Sequence, residues 1–352
     1  MKRMHTLDSR NKTYNSCQKV LSGLTDQQLN NLMKNAESFH TSMWSTSSLL
    51  SLNDTKIFVK KIPLTDLERL PDNFQSTANL FNLPAYYQYG VGSAGFGAWR
   101  ELASHLMTTD WVLSGKCLDF PILYHWRVVP CDKPEPMNDE ESERFERDVA
   151  YWEGSVAVRD RLLSSHNASA HIVLFLEHIP QNLYQWLSAE LIAGENVEAA
   201  IEMVVNALKV TTDFMISQDF IHFDAHFENI LTDGNQLYFS DFGLSLSKKF
   251  DLSSEELAFF ENHRTYDRCS TLVNLLHCFM TYKYERSQWK NVHLHEYLMG
   301  RYGEILQAIV PIVDRCASIA LIMAEFYDSL IKKSKSTPYP KDKLEELLVE
   351  LG

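Results

Sequence analysis

The sequence predicts an α+β chain folded in two lobes, and three observations carry that expectation. Runs rich in β-branched and aromatic residues fall in the first half, at 56–62, 121–129 and 172–176. From Gln181 onward, Leu, Ile and Val recur at helical spacing, over 197–218, 267–281 and 303–333. One island, 220–244, breaks that helical pattern. With 352 residues, a prior of roughly 150 residues per domain gives about two domains or one two-lobed domain. The expected division is an N-terminal extension over 1–36, a strand-bearing lobe over 37–179 and a helical lobe over 180–352. Hydrophobic residues make up 45% and aromatics 12%, enough for a large core, so disorder of the whole chain is excluded.

Residues 1–36 are polar and rich in Asn and Gln. Thr25-Asp26-Gln27-Gln28 has the form of a capping box opening a helix that runs to Phe39. The strand over 56–62, with Lys60 and Lys61 near its end, should stop at Pro63. Gly90, Gly92, Gly95 and Gly97 make a loop, and a helical pattern begins at Trp99 and contains Glu101. Residues 131–148 hold the densest acid in the chain together with two prolines, and read as a solvated surface loop running into a helix. Asn182 opens the helical half.

Charge and cysteine content bound the function classes. Lys+Arg 33 against Asp+Glu 46 leaves −13, and a net-acidic chain argues against general nucleic-acid binding, which needs a basic footprint. Cys17, Cys117, Cys131, Cys269, Cys278 and Cys316 stand at irregular gaps without a Cys-x-x-Cys pair. They read as scattered core thiols of a reducing compartment. No apolar run approaches the ~18 residues of a membrane helix. The basic start lacks an apolar signal region, so a cytoplasmic location is expected; a protein delivered into a host cell would have the same composition.

The island carries the chemistry. It reads His222-Phe223-Asp224-Ala225-His226-Phe227-Glu228-Asn229, then a turn at Asp233-Gly234-Asn235, then Asp241-Phe242-Gly243. Phosphoryl transfer from ATP asks little covalent chemistry of a protein: it needs an acceptor hydroxyl in line and metal ions on the phosphates. One carboxylate handles the hydroxyl proton, while a second carboxylate and a carboxamide hold Mg²⁺ through hard oxygen atoms. A hairpin bringing Asp224 and Asn229 beside Asp241 supplies that set.

These residues resemble the catalytic loop and Asp-Phe-Gly motif of the protein-kinase-like superfamily. The form His222-x-Asp224-x-His226-x-x-Asn229 is similar to that of aminoglycoside and choline phosphotransferases, whereas Asp241-Phe242-Gly243 is protein-kinase-like. The resemblance implies a bilobal fold with a strand-bearing N-lobe and a mainly helical C-lobe, and ATP and Mg²⁺ (or Mn²⁺) as cofactors. It implies Asp224 as catalytic base, Asn229 and Asp241 as metal ligands, and His226 in contact with phosphate or substrate, with His222 structural. It makes Lys60 the candidate for the α- and β-phosphates, with Lys61 on the opposite strand face, and Glu101 its helix partner. Glu177 and Ile179 would meet adenine through their backbone C=O and N–H. Asp267 would anchor the catalytic loop from below.

The pattern also departs from the family. The segment before the Lys60 strand, 41–48, has no glycine. The glycine cluster follows that strand instead, and opens a helix, where an anion would be at home. No Ala-Pro-Glu follows Asp241; 244–266 contains Ser245, Ser247, Ser253, Ser254, Thr265 and Tyr266, all candidates for phosphorylation. Four readings stand: a kinase acting on protein, itself included; a small-molecule phosphotransferase; a nucleotide-binding pseudokinase acting as a regulatory module; and a metallohydrolase built on His222, Asp224 and His226.

Overall fold

Strand β3 (Thr55–Leu64) lies at the centre of a five-stranded antiparallel sheet. The order is β1 (Glu37–Thr41), β2 (Thr46–Leu52), β3, β5 (Ala170–Glu177) and β4 (Leu123–Pro130). The computed structural model describes residues 6–34, 36–41, 46–132, 134–281 and 310–351. Residues 42–45 and 303–309, parts of the glycine-free segment and of the last long helical pattern, lie outside the described residues. Asn53 and Asp54 link β2 to β3 at φ +47° and +65°, the left-handed pair that a two-residue hairpin requires.

The strand runs past Pro63 to Leu64, beyond the expected stop. On the side of β5 the pairing continues through the proline, with Pro63 opposite His171 and Leu64 opposite Ala170, so β5 carries the strand past it. The helix expected to run to Phe39 ends earlier. Its capping box forms, Thr25 N donating to Gln28 Oε1 (2.9 Å) and Gln28 N to Thr25 Oγ1 (3.3 Å), but helix α2 covers only Asp26–Lys34 and β1 follows.

The chain divides into two compact units. The first takes Met1–Ile179 and gathers Asp241–Ser245 and Lys249–Glu255 from further along. One face of its sheet carries Ile62, Leu64, Leu123, Ile172, Leu174 and Leu176, packed on Ala98, Trp99 and Leu102 of helix α3 (Ala98–Leu113). Each such buried side chain contributes about 1.5–3 kcal/mol. A second cluster joins Tyr87 and Phe96 to Phe145, Val149 and Trp152 of helix α4 and to Val158 and Leu162 of helix α5. These helices span Asp139–Tyr151 and Val156–His166. Helix α4 is the acidic segment: Asn138 and Glu141 form its capping box, and three acids fill its first turn, where the helix dipole favours them. Helix α1 (Leu7–Gly23) packs on β4 and α3 and buries Cys17 and Leu21.

The second unit takes Pro180–Ser240, Leu246–Lys248 and Glu256–Gly352. Its helices α6 (Leu183–Ala193), α7 (Val197–Ser217) and α8 (Tyr266–Thr281) pack together, and a helix over Val310–Lys332 packs on α8. Short strands β7 (Ile230–Thr232) and β8 (Leu237–Phe239) form a hairpin beside β6 (Gln181–Asn182). The fold is thus α+β, helices with antiparallel sheets. All six cysteines are free thiols, and four of them are buried. Among the described residues no helix is long and apolar enough to cross a membrane.

Candidate active site

Strand alternation decides which lysine is buried in the first unit. Lys60 shares parity with Ile62 and Leu64, so it faces α3. Its Nζ lies 2.7 Å from Glu101 Oε1 and 2.7 Å from Asp241 Oδ1. Lys61, on the other face, lines a separate cavity of about 430 Å³ with Arg144, His166 and His171. In the cluster, the Lys60 and Glu101 side chains are 9% and 7% exposed, and that of Asp241 is 43% exposed. Burial alone would lower the Lys60 pKa, but the Asp241 and Glu101 charges outweigh it and hold the ammonium above its ordinary value. Burial, reinforced by Asp241, pushes the Glu101 carboxyl up. His105, one turn along α3, lies 3.9 Å from Glu101.

The Asp241-Phe242-Gly243 run is built into this unit. Phe242 is fully buried, its ring 4.8 Å from His105 and 6.2 Å from Phe120. Asp241 sits at φ +63°, in the left-handed region that Asp tolerates better than most side chains. Gly95 (φ +72°) lies so close that a Cβ there would collide with the Gly243 carbonyl oxygen. Gln88 donates to the Leu244 carbonyl, and Ser104 Oγ meets Ser245 Oγ at 2.6 Å.

The anion expected at the glycine loop is replaced by an internal carboxylate. Glu68 Oε1 accepts the N–H of Ala98, the first residue of α3, at 2.7 Å, and Arg161 reaches Glu68 Oε2 at 3.4 Å. A Cβ on Gly97 would stand 2.7 Å from Glu68 Oε1. The glycines therefore admit Glu68 and Gly243 at close range, and the helix start that could draw an outside anion is occupied. The signal was present in Thr65-x-x-Glu68, a capping-box pattern that forms, with Thr65 N donating to Glu68 Oε2 (3.0 Å) and Glu68 N to Thr65 Oγ1 (3.2 Å).

In the second unit, Asp267 organises the loop over 222–229. Its carboxylate accepts from His222 N at 2.6 Å and Phe223 N at 2.9 Å. Burial pushes its pKa up to about 7, against the pull of those two N–H groups. His222 is fully buried, with Nε2 2.9 Å from the Ser240 carbonyl oxygen. Asn229 Nδ2 donates to Asp224 O (3.1 Å) and Asp224 Oδ2 (3.0 Å). Its carboxamide oxygen thus has no protein donor among the described residues. His226 Nδ1 accepts from Glu228 N (3.2 Å), and Nε2 stands 3.8 Å from Asp224 Oδ2. The structure therefore brings Lys60, Glu101 and Asp241 together in one unit, and Asp224, His226 and Asn229 in the other.

Glu177 ends β5 in the first unit. Its N–H donates to Ile122 O at 2.8 Å, and its carboxylate is buried against Arg10, 2.6 Å from Nη2. Ile179 is buried, and its backbone N–H donates to no acceptor among the described residues. Of the hydroxyls considered for phosphorylation, Ser245, Ser247 and Tyr266 are buried, which removes them from the accessible set. No known family model matches the chain, and no curated protein matches it.

Proposed function

We propose that this chain is an ATP- and Mg²⁺-dependent phosphotransferase with a bilobal, protein-kinase-like fold, acting on Ser, Thr or Tyr hydroxyls of a protein, itself included. The observation that carries this reading is the Lys60 ammonium held between Glu101 and Asp241 at 2.7 Å each. A buried cation kept charged, with one partner half exposed, suits the oriented donor that transferring phosphates need.

The donor set also fits the ion. Among the described residues no group of three or more His, Cys, Asp or Glu side chains stands ready to hold a metal. Asp241 in the first unit and the carboxamide oxygen of Asn229 in the second are each hard oxygen donors of the kind such a cation takes alongside phosphate oxygens. Mg²⁺ held by such donors would supply charge neutralisation on the phosphoryl oxygens. Glu101 fixes Lys60, and Lys60 orients the α- and β-phosphates. The Ile179 N–H and Glu177 C=O take adenine. Asp224 accepts the proton of the attacking hydroxyl as its oxygen bonds to the γ-phosphorus; the bond from that phosphorus to the β,γ-bridging oxygen breaks, and ADP leaves.

A second reading, transfer to a small molecule, draws on His226 beside Asp224 and on the missing Ala-Pro-Glu. Intact-mass measurement after incubation with Mg·ATP, beside Asp241→Ala, separates the readings. Increments of about 80 Da, one phosphoryl group each, in wild type alone support a protein acceptor. ADP release only with added aminoglycoside or choline supports a small acceptor. ATP binding without any transfer marks a pseudokinase, and no binding at all overturns the proposal.

A further inference from the structure

Helix α1 reaches the end of β5 through one buried side chain. Arg10 is 3% exposed. Its Nε donates to Glu177 Oε1 (3.1 Å) and its Nη2 to Glu177 Oε2 (2.6 Å). Nη1 donates to Leu118 O (2.8 Å), and Nη2 also to Phe120 O (2.5 Å). Glu177 Oε2 in turn accepts from Ile122 N at 3.1 Å. The guanidinium thus ties three points of the first unit together: the segment before β4, the last residue of β5, and α1 itself.

We propose that Arg10 is a positioning residue for the nucleotide, acting through Glu177, and that α1 is thereby a working part of the nucleotide site. The inference rests on the functional reading above, in which Glu177 and Ile179 take adenine. Anchoring α1 does not need Arg10. Cys17 and Leu21 bury the apolar side of the helix, and Arg127 grips its far end through Leu24 O (2.8 Å) and Asp26 Oδ1 (3.0 Å). A buried ion pair is also a poor source of stability, because desolvation offsets most of its attraction. What the two-pronged guanidinium–carboxylate contact does supply is a fixed orientation, which a lysine cannot reproduce. That orientation is imposed on the residue whose backbone would meet the base.

The test uses the full chain and three variants: Arg10→Lys, Arg10→Met, and Arg127→Met as the anchoring control. Mg·ATP-dependent transfer is measured over a range of ATP concentrations, ATP binding by calorimetry, and thermal unfolding alongside. The expected result is a KM for ATP and a Kd raised about tenfold in both Arg10 variants, with kcat at saturating ATP within about twofold of wild type. Arg127→Met should lower the melting temperature and leave KM in place. Arg10→Lys keeps the test alive if Arg10→Met does not fold. An unchanged KM in the Arg10 variants, or an equal rise in Arg127→Met, overturns the inference and spares the functional reading. A wild type without affinity for ATP overturns both.

Discussion

On the proposed reading Lys60 serves two purposes, phosphate orientation and charge balance in the buried cluster, and each has its own measurement. Lys60→Met should lower phosphoryl transfer at least about 100-fold, the loss typical of one charge-stabilising donor. Lys61→Met, on the other strand face, should leave the rate within about twofold. The reverse order in a steady-state assay would mean that the wrong lysine has been assigned. The stability effect is distinct. Without Lys60, Glu101 is left buried beside Asp241 without its paired ammonium, and breaking one side of a buried pair costs about 3–5 kcal/mol. Burial already pushes the Glu101 carboxyl up, so the variant can relieve this by taking a proton that the unfolded chain gives up. Its stability deficit should therefore grow as pH rises from about 5 to 8. Denaturant unfolding at the two pH values reads this directly, and a pH-independent deficit would show that Glu101 is not the orphaned group.

At the scale of elements, the loop over 222–229 rests on a stack of rings. Phe223, at φ +62°, meets Phe259, His263 and Tyr266 at centroid distances of 5.6, 5.7 and 4.9 Å. Burial holds His263 neutral, its pKa pushed down to about 4. Between about pH 6.5 and 4 the unfolded chain takes a proton that the folded histidine refuses, so stability present above 6.5 is lost on acidification. Asp267, pushed up to about 7, pulls the opposite way, so the prediction concerns a difference. The stability of His263→Phe relative to wild type should rise by about 3 kcal/mol between pH 7 and pH 4, and a flat difference would remove His263 from the account.

The glycine loop makes a parallel claim. Gly95→Ala meets the Gly243 carbonyl and a positive φ, and should cost about 1–3 kcal/mol along with activity. Gly92→Ala, at φ +100° with only Tyr151 at 3.9 Å, should cost less; equal losses by thermal melting would show that the contact with Gly243 is not the reason for Gly95. These elements also mark how far the sequence could be read. Parity and periodicity are local, so the strand face of Lys60, the Thr25 capping box and the hairpin were visible in it. Glu68 left only the local Thr65-x-x-Glu68 pattern, and its hold on Ala98 was not visible, nor was the role of Arg10, because each acquires its role from a partner that only the folded chain supplies. Arg10 pairs with a residue 167 positions away, from a polar helix whose sequence carries no sign of burial.

The whole molecule is not two consecutive pieces of chain, and this has a measurable consequence. The first unit is completed by Asp241–Ser245 and Lys249–Glu255, residues that follow most of the second in sequence. Those residues put Phe242 into its core, Asp241 on Lys60, the Leu244 carbonyl on Gln88 and Ser245 on Ser104. A fragment ending at residue 179 would lack all four. Losing a buried Phe alone costs about 3–5 kcal/mol, and a whole domain holds only about 5–15 kcal/mol. The fragment 1–179 should therefore show weak or no cooperative melting and should bind a hydrophobic dye. A peptide covering 239–255, added in trans or fused, should restore a cooperative transition, with Phe242→Ala in that peptide abolishing the rescue. A fragment that melts cooperatively without the peptide would mean that the Asp-Phe-Gly segment is a guest of the first unit and not a part of its core.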